Sequence, residues 1–338
     1  MRTSFFCFSD SGAKLAERLC FVLGVHKECV HSTVKFASEY GFTPHKSISG
    51  DMETLFEESD ALIFIGACGI AVREIAPYVK SKTTDPAVIV IDDRGRFVIP
   101  ILSGHIGGAN ALARRIASEI GATAVVTTST DGAGRFSCDE WATANGCAIS
   151  SMKTAKEVSA AILTRDIPIC SDYELPEKLP GGLVTGDGGD LGIYIGIYDR
   201  SPFISTLRLI PRTVTLGIGC RRGISKETIL AAIRSVLENG GIDIRAVGRI
   251  ASIDVKKDEE GLISCAEELG AEPVFYSADE LNAVQGSFDE SEFVRKTVGT
   301  GNVCERAAVL AGGELIIKKT AMGGVTVAAA ETEWRIGF

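Results

Sequence analysis

The sequence predicts a multi-domain α/β protein with doubly wound, mostly parallel sheets. A unit of apolar strand, small-residue turn and amphipathic helix occurs four times in the 338 residues, at 4–19, 61–79, 96–120 and 213–237. Strands that alternate with helices of this length build layered α/β folds. A chain of this length also exceeds what one hydrophobic core usually holds, so we expect several domains.

Composition of the intervening segments suggests where these domains begin and end. Further apolar runs at 87–91, 123–128, 193–197, 250–254, 314–319 and 324–330 are predicted strands. Residues 166–190 are rich in Pro, Gly and Asp, which is typical of loops and linkers. We therefore expect an N-terminal α/β domain over 1–132, a variable middle region over 133–211 and a C-terminal α/β domain over 212–338. For the middle region, a spacer, a lid and a dimer surface are all compatible with the sequence.

Charge and cysteine content exclude several functional classes. The net charge of −9 argues against a general nucleic-acid or anionic-membrane surface, although it permits a local basic pocket. None of the ten cysteines forms a C-x-x-C pair, so we expect free thiols and no structural zinc site. No apolar run is long enough to span a bilayer, and the first residues lack a signal peptide's apolar core. We expect a cytoplasmic protein.

The stretch "LSGHIGGAN" places one of four histidines inside a glycine loop. Gly104, Gly107 and Gly108 permit positive φ angles and close approach of the backbone to a ligand. The N-terminus of the helix that follows favours an anion. His105 is a candidate general base or acid, and Asn110 is a candidate amide donor. A tight strand-to-helix turn without a ligand explains the same glycines equally well, and the loop does not fit the dinucleotide-binding pattern.

Two other turns carry arginines. "GIGCRRG" places Arg221 and Arg222 in a glycine turn before a helix, where guanidinium groups suit bidentate binding of carboxylates. Cys220 beside them is a candidate for a lowered pKa and a nucleophilic role, although inert packing is the commoner role for such a cysteine. Arg73 in "GACGIAVREIAP" is either a ligand contact or half of a surface ion pair.

The remaining candidates lie near predicted strands. Asp131 in "VTTSTDGAG" can orient a ligand, but turn and helix-cap roles explain it equally well. Glu305 and Lys318 lie in a C-terminal stretch whose glycine turns can line a pocket, although Glu305 at a helix start also suits the helix dipole. In doubly wound sheets, ligands bind beyond the carboxyl ends of strands. We therefore expect a ligand cleft at that edge, between the N-terminal and C-terminal domains.

Taken together and in order, these segments resemble the CbiG family of cobalt-precorrin-5A hydrolases from anaerobic cobalamin biosynthesis. The similarity covers most of 60–131, including "LSGHIGGAN" and "VTTSTD", and most of 212–331, including "GIGCRRG", "ASIDVKKDEEGL" and "VGTGNVCERAAVLAGGELIIKKTAMGGVTVA". The resemblance implies hydrolysis of cobalt-precorrin-5A to cobalt-precorrin-5B, with opening of the ring-A δ-lactone and release of acetaldehyde. It also implies that cobalt arrives with the substrate and that no cofactor or metal is bound by the protein.

For this reaction we hypothesise a role for each candidate residue, because the family motifs indicate a site more clearly than a mechanism. His105, Asn110 and Glu305 are the expected catalytic residues: His105 activates water, the N–H groups of residues 107–110 bind the oxyanion, and His105 or Glu305 relays protons. The expected substrate-binding residues are Ser103, Gly104, Gly107, Gly108, Arg73, Arg221, Arg222, Asp131 and Lys318. The expected partner is the corrinoid substrate, with no nucleic acid and no membrane; a homodimer and transient contacts with neighbouring pathway enzymes are left open. Two alternatives remain, a non-enzymatic carrier of a corrinoid intermediate and an acyl hydrolase that depends on Cys220.

Overall fold

The computed structural model describes residues 1–45, 50–81, 84–105, 107–128 and 134–338. These residues form three sheets, of seven, five and five strands. The chain divides into two compact units, Met1–Thr143 and Ala144–Phe338. The first unit holds the seven-stranded sheet, and the second unit holds the other two. The predicted multi-domain α/β architecture with mostly parallel sheets is confirmed.

The sheet of the first unit has the strand order β3-β2-β1-β4-β5-β6-β7. Its strands are β1 Thr3–Cys7, β2 Val30–Thr33, β3 Thr43–His45, β4 Ala61–Ile65, β5 Ala87–Ile91, β6 Phe97–Leu102 and β7 Thr123–Ala124, with helices α1 Asp10–Leu23, α2 Val34–Tyr40, α3 Met52–Glu58, α4 Cys68–Ile75, α5 Ala109–Ile120 and α6 Cys138–Ala144. Strands β1 to β5 are parallel, and every residue of β1, β4 and β5 is buried. Burial on both faces explains why the sequence of these strands is a nearly continuous apolar run.

Strand β6 runs antiparallel to β5, and this reverses one sequence-based expectation. Leu102 at the end of β6 pairs with Val88 near the start of β5. The loop after β6 therefore lies at the opposite end of the strands from the turns after β1 and β4. These turns do not meet at the single edge where we expected the ligand cleft. The cause is the short connection 92–96, in which the Asp92 carboxylate accepts the N–H groups of Arg96 and Phe97. Five residues are too few for the crossover that a parallel pair requires.

The middle region is a folded sheet of the second unit. Its strands are β8 Cys147–Ile149, β9 Ile167–Ser171, β10 Leu183–Thr185, β11 Leu191–Ile195 and β12 Ser205–Pro211, in the order β10-β9-β11-β12-β8, with helix α7 Met152–Ala161. The expectation that 166–190 is only loop or linker is wrong, because β9 and β10 lie within it. Strand β9 tolerates Pro168 because its pairing with β11 begins one residue later, at Ile169.

The third sheet follows after two residues. Its strands are β13 Val214–Cys220, β14 Val247–Ile253, β15 Glu272–Tyr276, β16 Glu314–Met322 and β17 Val325–Glu331, in the order β15-β14-β13-β17-β16, with helices α8 Lys226–Asn239, α9 Glu260–Glu268, α10 Ala278–Ala283, α11 Glu292–Val298 and α12 Cys304–Gly312. Strands β13, β14 and β15 are parallel, and β17 is antiparallel to both of its neighbours. The carboxyl ends of β13 and β14 therefore meet the start of β17 at one edge. In the part of the chain that the structure describes, no helix is long and apolar enough to cross a membrane.

A buried histidine of the first unit predicts how stability depends on pH. His31 in β2 stacks on Phe6, and its Nδ1 lies 2.7 Å from His45 Nε2. Burial, together with the nearby His45, lowers the pKa of His31 from 6.5 to about 4. As the pH falls, the unfolded chain therefore takes up a proton at His31 that the folded protein excludes. The contribution of His31 to the free energy of unfolding is complete above about pH 6.5 and is lost as the pH falls toward 4.

We expect the free energy of unfolding to fall by roughly 3 kcal/mol between pH 7 and pH 4 because of this residue. Urea unfolding at several pH values measures the slope. In a His31→Phe variant, which keeps an aromatic ring against Phe6, the slope between pH 4 and 6.5 should be smaller. Equal slopes in the variant and the parent protein would contradict the prediction.

Candidate functional site

The glycine loop between β6 and α5 is held by its own backbone. The N–H of Ala109 donates to the Ser103 carbonyl (3.1 Å), and the N–H of Asn110 donates to the Gly104 carbonyl (2.9 Å). Gly108 has a φ of +77°. A side chain at Gly107 would place its Cβ 2.4 Å from Ser103 Cβ. Close packing therefore requires glycine at 107, and the positive φ favours glycine at 108, whatever the loop binds.

Ser103 and most of the loop N–H groups are hydrogen-bonded within the protein. Ser103 is buried, has a φ of +54°, and donates its hydroxyl to the Asp85 carbonyl (2.9 Å). A positive φ is uncommon outside glycine, and these hydrogen bonds hold the residue in that conformation. The N–H of Gly108 also donates within the loop, to the His105 carbonyl (2.9 Å). Of the N–H groups at 107–110, three are thus committed, so an oxyanion hole built from all of them is wrong.

His105 is paired with a buried carboxylate. Its Nδ1 lies 3.2 Å from Asp139 Oδ1, and the two side chains are 20% and 7% exposed. Asp139 also accepts from Ser137 Oγ (2.9 Å) and from the N–H of Glu140 (3.2 Å), which fixes the carboxylate in place. A proton on Nδ1, shared with Asp139, makes Nε2 the basic nitrogen of the imidazole. The pair has the composition of a general base and its orienting carboxylate.

Sequence reasoning did not identify Asp139. In the sequence, "SCDE" is typical of a helix start, because acidic residues favour the first helical turn. The residue is 34 positions from His105 (139 − 105), and only the packing of α6 brings the two together. A search for a carboxylate partner of His105 would have had many candidates among the 44 acidic residues.

The other candidates of the first unit have separate positions. Asn110 is buried, and its Nδ2 donates to Thr128 Oγ1 (3.2 Å), which joins the start of α5 to residues 126–128. Its catalytic role stays a prediction. Arg73 lies on the exposed face of α4, whose start is at the sheet edge opposite the glycine loop. Asp131 lies outside the described residues.

The second unit contains a cavity of about 690 Å³ at the carboxyl ends of β13 and β14. This volume is in the range that ligand-binding pockets occupy. One wall is the end of β13 with its "CRR" turn and the segment after β14, and the facing wall is α11 with the start of α12. The lining is Gly219, Cys220, Arg221, Arg222, Ser252, Ile253, Val255, Lys256, Ser291, Phe293, Val294, Thr297, Val298, Gly301, Asn302, Val303, Cys304, Lys319, Gly324 and Thr326.

The glycines of "GIGCRRG" explain how this cavity is built. A Cβ at Gly217 would lie 1.8 Å from the Cys304 carbonyl oxygen, and one at Gly219 would lie 2.5 Å from Thr326 Oγ1. Only glycine therefore allows α12 to begin directly against β13. This contact places Val303 and Cys304 in the cavity wall.

Four cationic residues and no carboxylate are among the described residues that line the cavity. Lys256 is buried and pairs with Glu259 behind the wall (3.1 Å); the other oxygen of Glu259 accepts the N–H of Gly223 (2.6 Å). This ion pair fixes the turn that presents Arg221 and Arg222. Arg222 also pairs with Asp258 (3.4 Å), on the exposed surface.

Lys319, not Lys318, lies in the cavity wall. The pairing of β16 with β17 is irregular between Ile317 and Thr320, and there the side chain of Lys318 is exposed and outside the lining. The Nζ of Lys319 donates to the Asp289 carbonyl (2.8 Å). Lys318, which we expected to hold a substrate carboxylate, thus lies outside this cavity, and its neighbour Lys319 lies in the wall.

Glu305 has a structural position behind the cavity. Its side chain is 1% exposed and accepts from Asn302 Nδ2 (2.6 Å), the N–H of Asp289 (3.1 Å) and the N–H of Lys319 (2.8 Å). Both carboxylate oxygens are thus engaged. A buried carboxylate with these partners holds residues 289–302 against β16, so the structure does not support its use as a proton relay.

Cys220 lines the cavity, but its environment opposes nucleophilic chemistry. Burial raises the pKa of its thiol, and the opposing effect of Lys256 is smaller. All four histidines are in residues 1–143, so no imidazole of the second unit can activate it. The ten cysteines are free thiols. Among the described residues, no three His, Cys, Asp or Glu side chains form a group that could hold a metal ion.

Comparison with known proteins assigns the chain to a family. The family model described as Cobalamin synthesis G N-terminal matches residues 51–131, and that described as Cobalamin synthesis G C-terminus matches residues 214–330. A protein from Salmonella typhimurium named cobalt-precorrin-5A hydrolase is 36% identical over 95% of each chain. One of the same name from Priestia megaterium is 34% identical over 82% of this chain and 80% of its own.

A solved structure of a cobalamin biosynthesis protein G homologue from Sulfolobus solfataricus is also similar. It matches 98% of this chain and 97% of its own at 24% identity, with a TM-score of 0.40, which is too low to support an inference. The assignment depends on the sequence relatives, whose similarity extends over nearly the whole chain. The chain belongs to the CbiG family.

Proposed function

We propose that this protein hydrolyses cobalt-precorrin-5A in cobalamin biosynthesis, in the cytoplasm. Two relatives that align with most of the chain have that activity as their name. The structural observation that supports the proposal is the His105–Asp139 pair, since hydrolysis requires a base that activates water. Cobalt belongs to the substrate in this proposal, and the protein binds no cofactor of its own.

The proposed reaction has two steps. In the first step, water attacks the carbonyl of the ring-A lactone, and the ester bond opens to a carboxylate and an alcohol on the two-carbon unit. In the second step, the alcohol loses its proton, and the bond between the two-carbon unit and the macrocycle breaks. Acetaldehyde leaves, and the electron pair of the broken bond stays on the macrocycle.

His105 would act in both steps. The imidazole Nε2 takes a proton from the attacking water, and the resulting imidazolium returns it to the alkoxide as the lactone opens. In the second step the neutral imidazole accepts the alcohol proton. Asp139 stabilises the imidazolium and keeps the ring oriented, as the carboxylate of a catalytic triad does.

Anaerobic incubation of the purified protein with cobalt-precorrin-5A tests this proposal. We expect acetaldehyde in equal amount to the substrate consumed, and a product whose mass reflects the gain of water and the loss of acetaldehyde. Binding of the substrate without acetaldehyde release would overturn the proposed function. That result would favour a carrier of a corrinoid intermediate.

The variant Cys220→Ser tests the alternative of covalent catalysis through Cys220. Because burial raises the pKa of this thiol, we expect Cys220→Ser to release acetaldehyde at a rate within about threefold of the parent protein. The rate under saturating substrate is the measurement. A loss of a hundredfold or more, in a variant with an unchanged unfolding midpoint, would restore the acyl-hydrolase alternative.

A further inference from the structure

The cavity of the second unit shows a charge pattern opposite to that of the whole protein. The chain has a net charge of −9, yet the described lining contains Arg221, Arg222, Lys256 and Lys319 without any carboxylate. Two of these charges are neutralised locally, because Lys256 pairs with Glu259 and Arg222 with Asp258. Within the described part of the chain, Arg221 and Lys319 have no acidic partner. A cavity that retains two uncompensated cations is suited to an anionic ligand.

The opposite wall of the cavity is apolar and exposed. Helix α11 has no fully buried residue, and its Phe293 is 79% exposed although it lines the cavity. Val294 and Val298 lie beside it in the same wall. Exposed aromatic surface at the mouth of a pocket is typical of a binding face that a ligand covers. The ligand therefore combines anionic groups with a broad apolar face.

We propose that this cavity holds one edge of a tetrapyrrole by its free carboxylates, and that amidated corrinoids are excluded. Arg221 and Lys319 bind carboxylates of the macrocycle periphery, and Phe293 packs against its face. A macrocycle with all its side chains is larger than the ligands that fill pockets of this volume, so only an edge enters. The identification of the ligand as a tetrapyrrole rests on the proposed function.

Amides cannot replace carboxylates here, because they do not compensate the two cations when water is displaced.

Calorimetric titration of the full chain tests this inference with two cobalt corrins. Cobyrinic acid has side chains that end in free carboxylates, and cobinamide has the same ring with amidated side chains. We expect cobyrinic acid to bind at least about tenfold more tightly, since each hydrogen bond to a charged group is worth that factor or more. Equal affinity for the two compounds, or no binding of cobyrinic acid, would overturn the inference.

Variants of adjacent lysines give a matched comparison. Lys319→Gln keeps a donor for the Asp289 carbonyl but removes the charge, and we expect it to weaken cobyrinic acid binding about tenfold, as Arg221→Gln should. Lys318→Gln removes the same charge from the exposed face of β16 and should bind as the parent protein does. Phe293→Ala should weaken binding about fivefold without changing the unfolding midpoint. Parent-like binding by both Lys319→Gln and Arg221→Gln would overturn the inference.

The results also separate this inference from the proposed function. If acetaldehyde forms but the charge variants bind normally, the function stands and the cavity assignment fails. If cobyrinic acid binds through Arg221 and Lys319 but no acetaldehyde forms from cobalt-precorrin-5A, the cavity assignment stands and the proposed activity fails.

Discussion

His105→Ala is expected to lower the rate of acetaldehyde release from cobalt-precorrin-5A by about 10²- to 10⁴-fold, the usual contribution of a positioned general base. The imidazole is the basic group that Asp139 orients, and alanine leaves the carboxylate without a group to act through. The rate at saturating substrate is the measurement. Added imidazole should recover part of the lost rate, because the substitution leaves space where the ring was.

His26→Ala is the matched control, since His26 is exposed at the far end of the same unit's sequence and is not part of the proposed site. We expect its rate to equal that of the parent protein. A His105→Ala rate within a few-fold of the parent value would refute the role of His105 as the base. A large loss that imidazole does not restore, with a lowered unfolding midpoint, would also refute it by showing damage to the loop.

Asp139→Asn should have the second-largest effect, a loss of about 10²- to 10⁴-fold in the same rate. The amide is similar in size to the carboxylate, but it can donate to His105 Nδ1 and so favour the tautomer whose proton is on Nε2. It also removes the negative charge that stabilises the imidazolium. The nitrogen NMR shifts of the His105 ring report directly which nitrogen carries the proton. A loss of packing alone would not move that proton from Nδ1 to Nε2.

Glu140→Gln is the control for Asp139→Asn. Glu140 lies next to it on α6 and pairs with Arg114 at the surface (2.9 Å), so its loss removes a charge from the same helix without touching His105. A surface ion pair of this kind contributes little to stability. Equal rates for Asp139→Asn and the parent protein would show that the carboxylate does not act through His105.

Local patterns in the sequence predicted much of the fold. The four strand-turn-helix units are present as β1 with α1, β4 with α4, β6 with α5, and β13 with α8. These predictions succeeded because strand burial and helix amphipathicity are expressed over a few consecutive residues. The CbiG resemblance was likewise visible in contiguous motifs, and the relatives confirm it.

The expectations that proved wrong depended on which strands pair and on the local geometry within a strand. The direction of β6 depends on which strand it pairs with, and the Pro-rich and Gly-rich segment 166–190 forms strands because β11 and β12 extend the sheet beside it. Lys318 and Lys319 are equivalent in the sequence, and only the local backbone of β16, whose pairing with β17 is irregular between Ile317 and Thr320, decides which one lines the cavity.

The sequence by itself determined the fold class, the family and the two loops that carry the candidate chemistry, because each is written in contiguous residues. Only the tertiary structure decided which groups lie in contact. Asp139 contacts His105 although 34 positions separate them, and Glu259 accepts the N–H of Gly223, 36 positions earlier, in the turn that contains Arg221 and Arg222. Glu305 is no longer a candidate proton relay, because three hydrogen-bond donors engage its carboxylate. Such contacts depend on how helices and strands pack, and packing joins residues whose separation in sequence is not encoded by any local pattern.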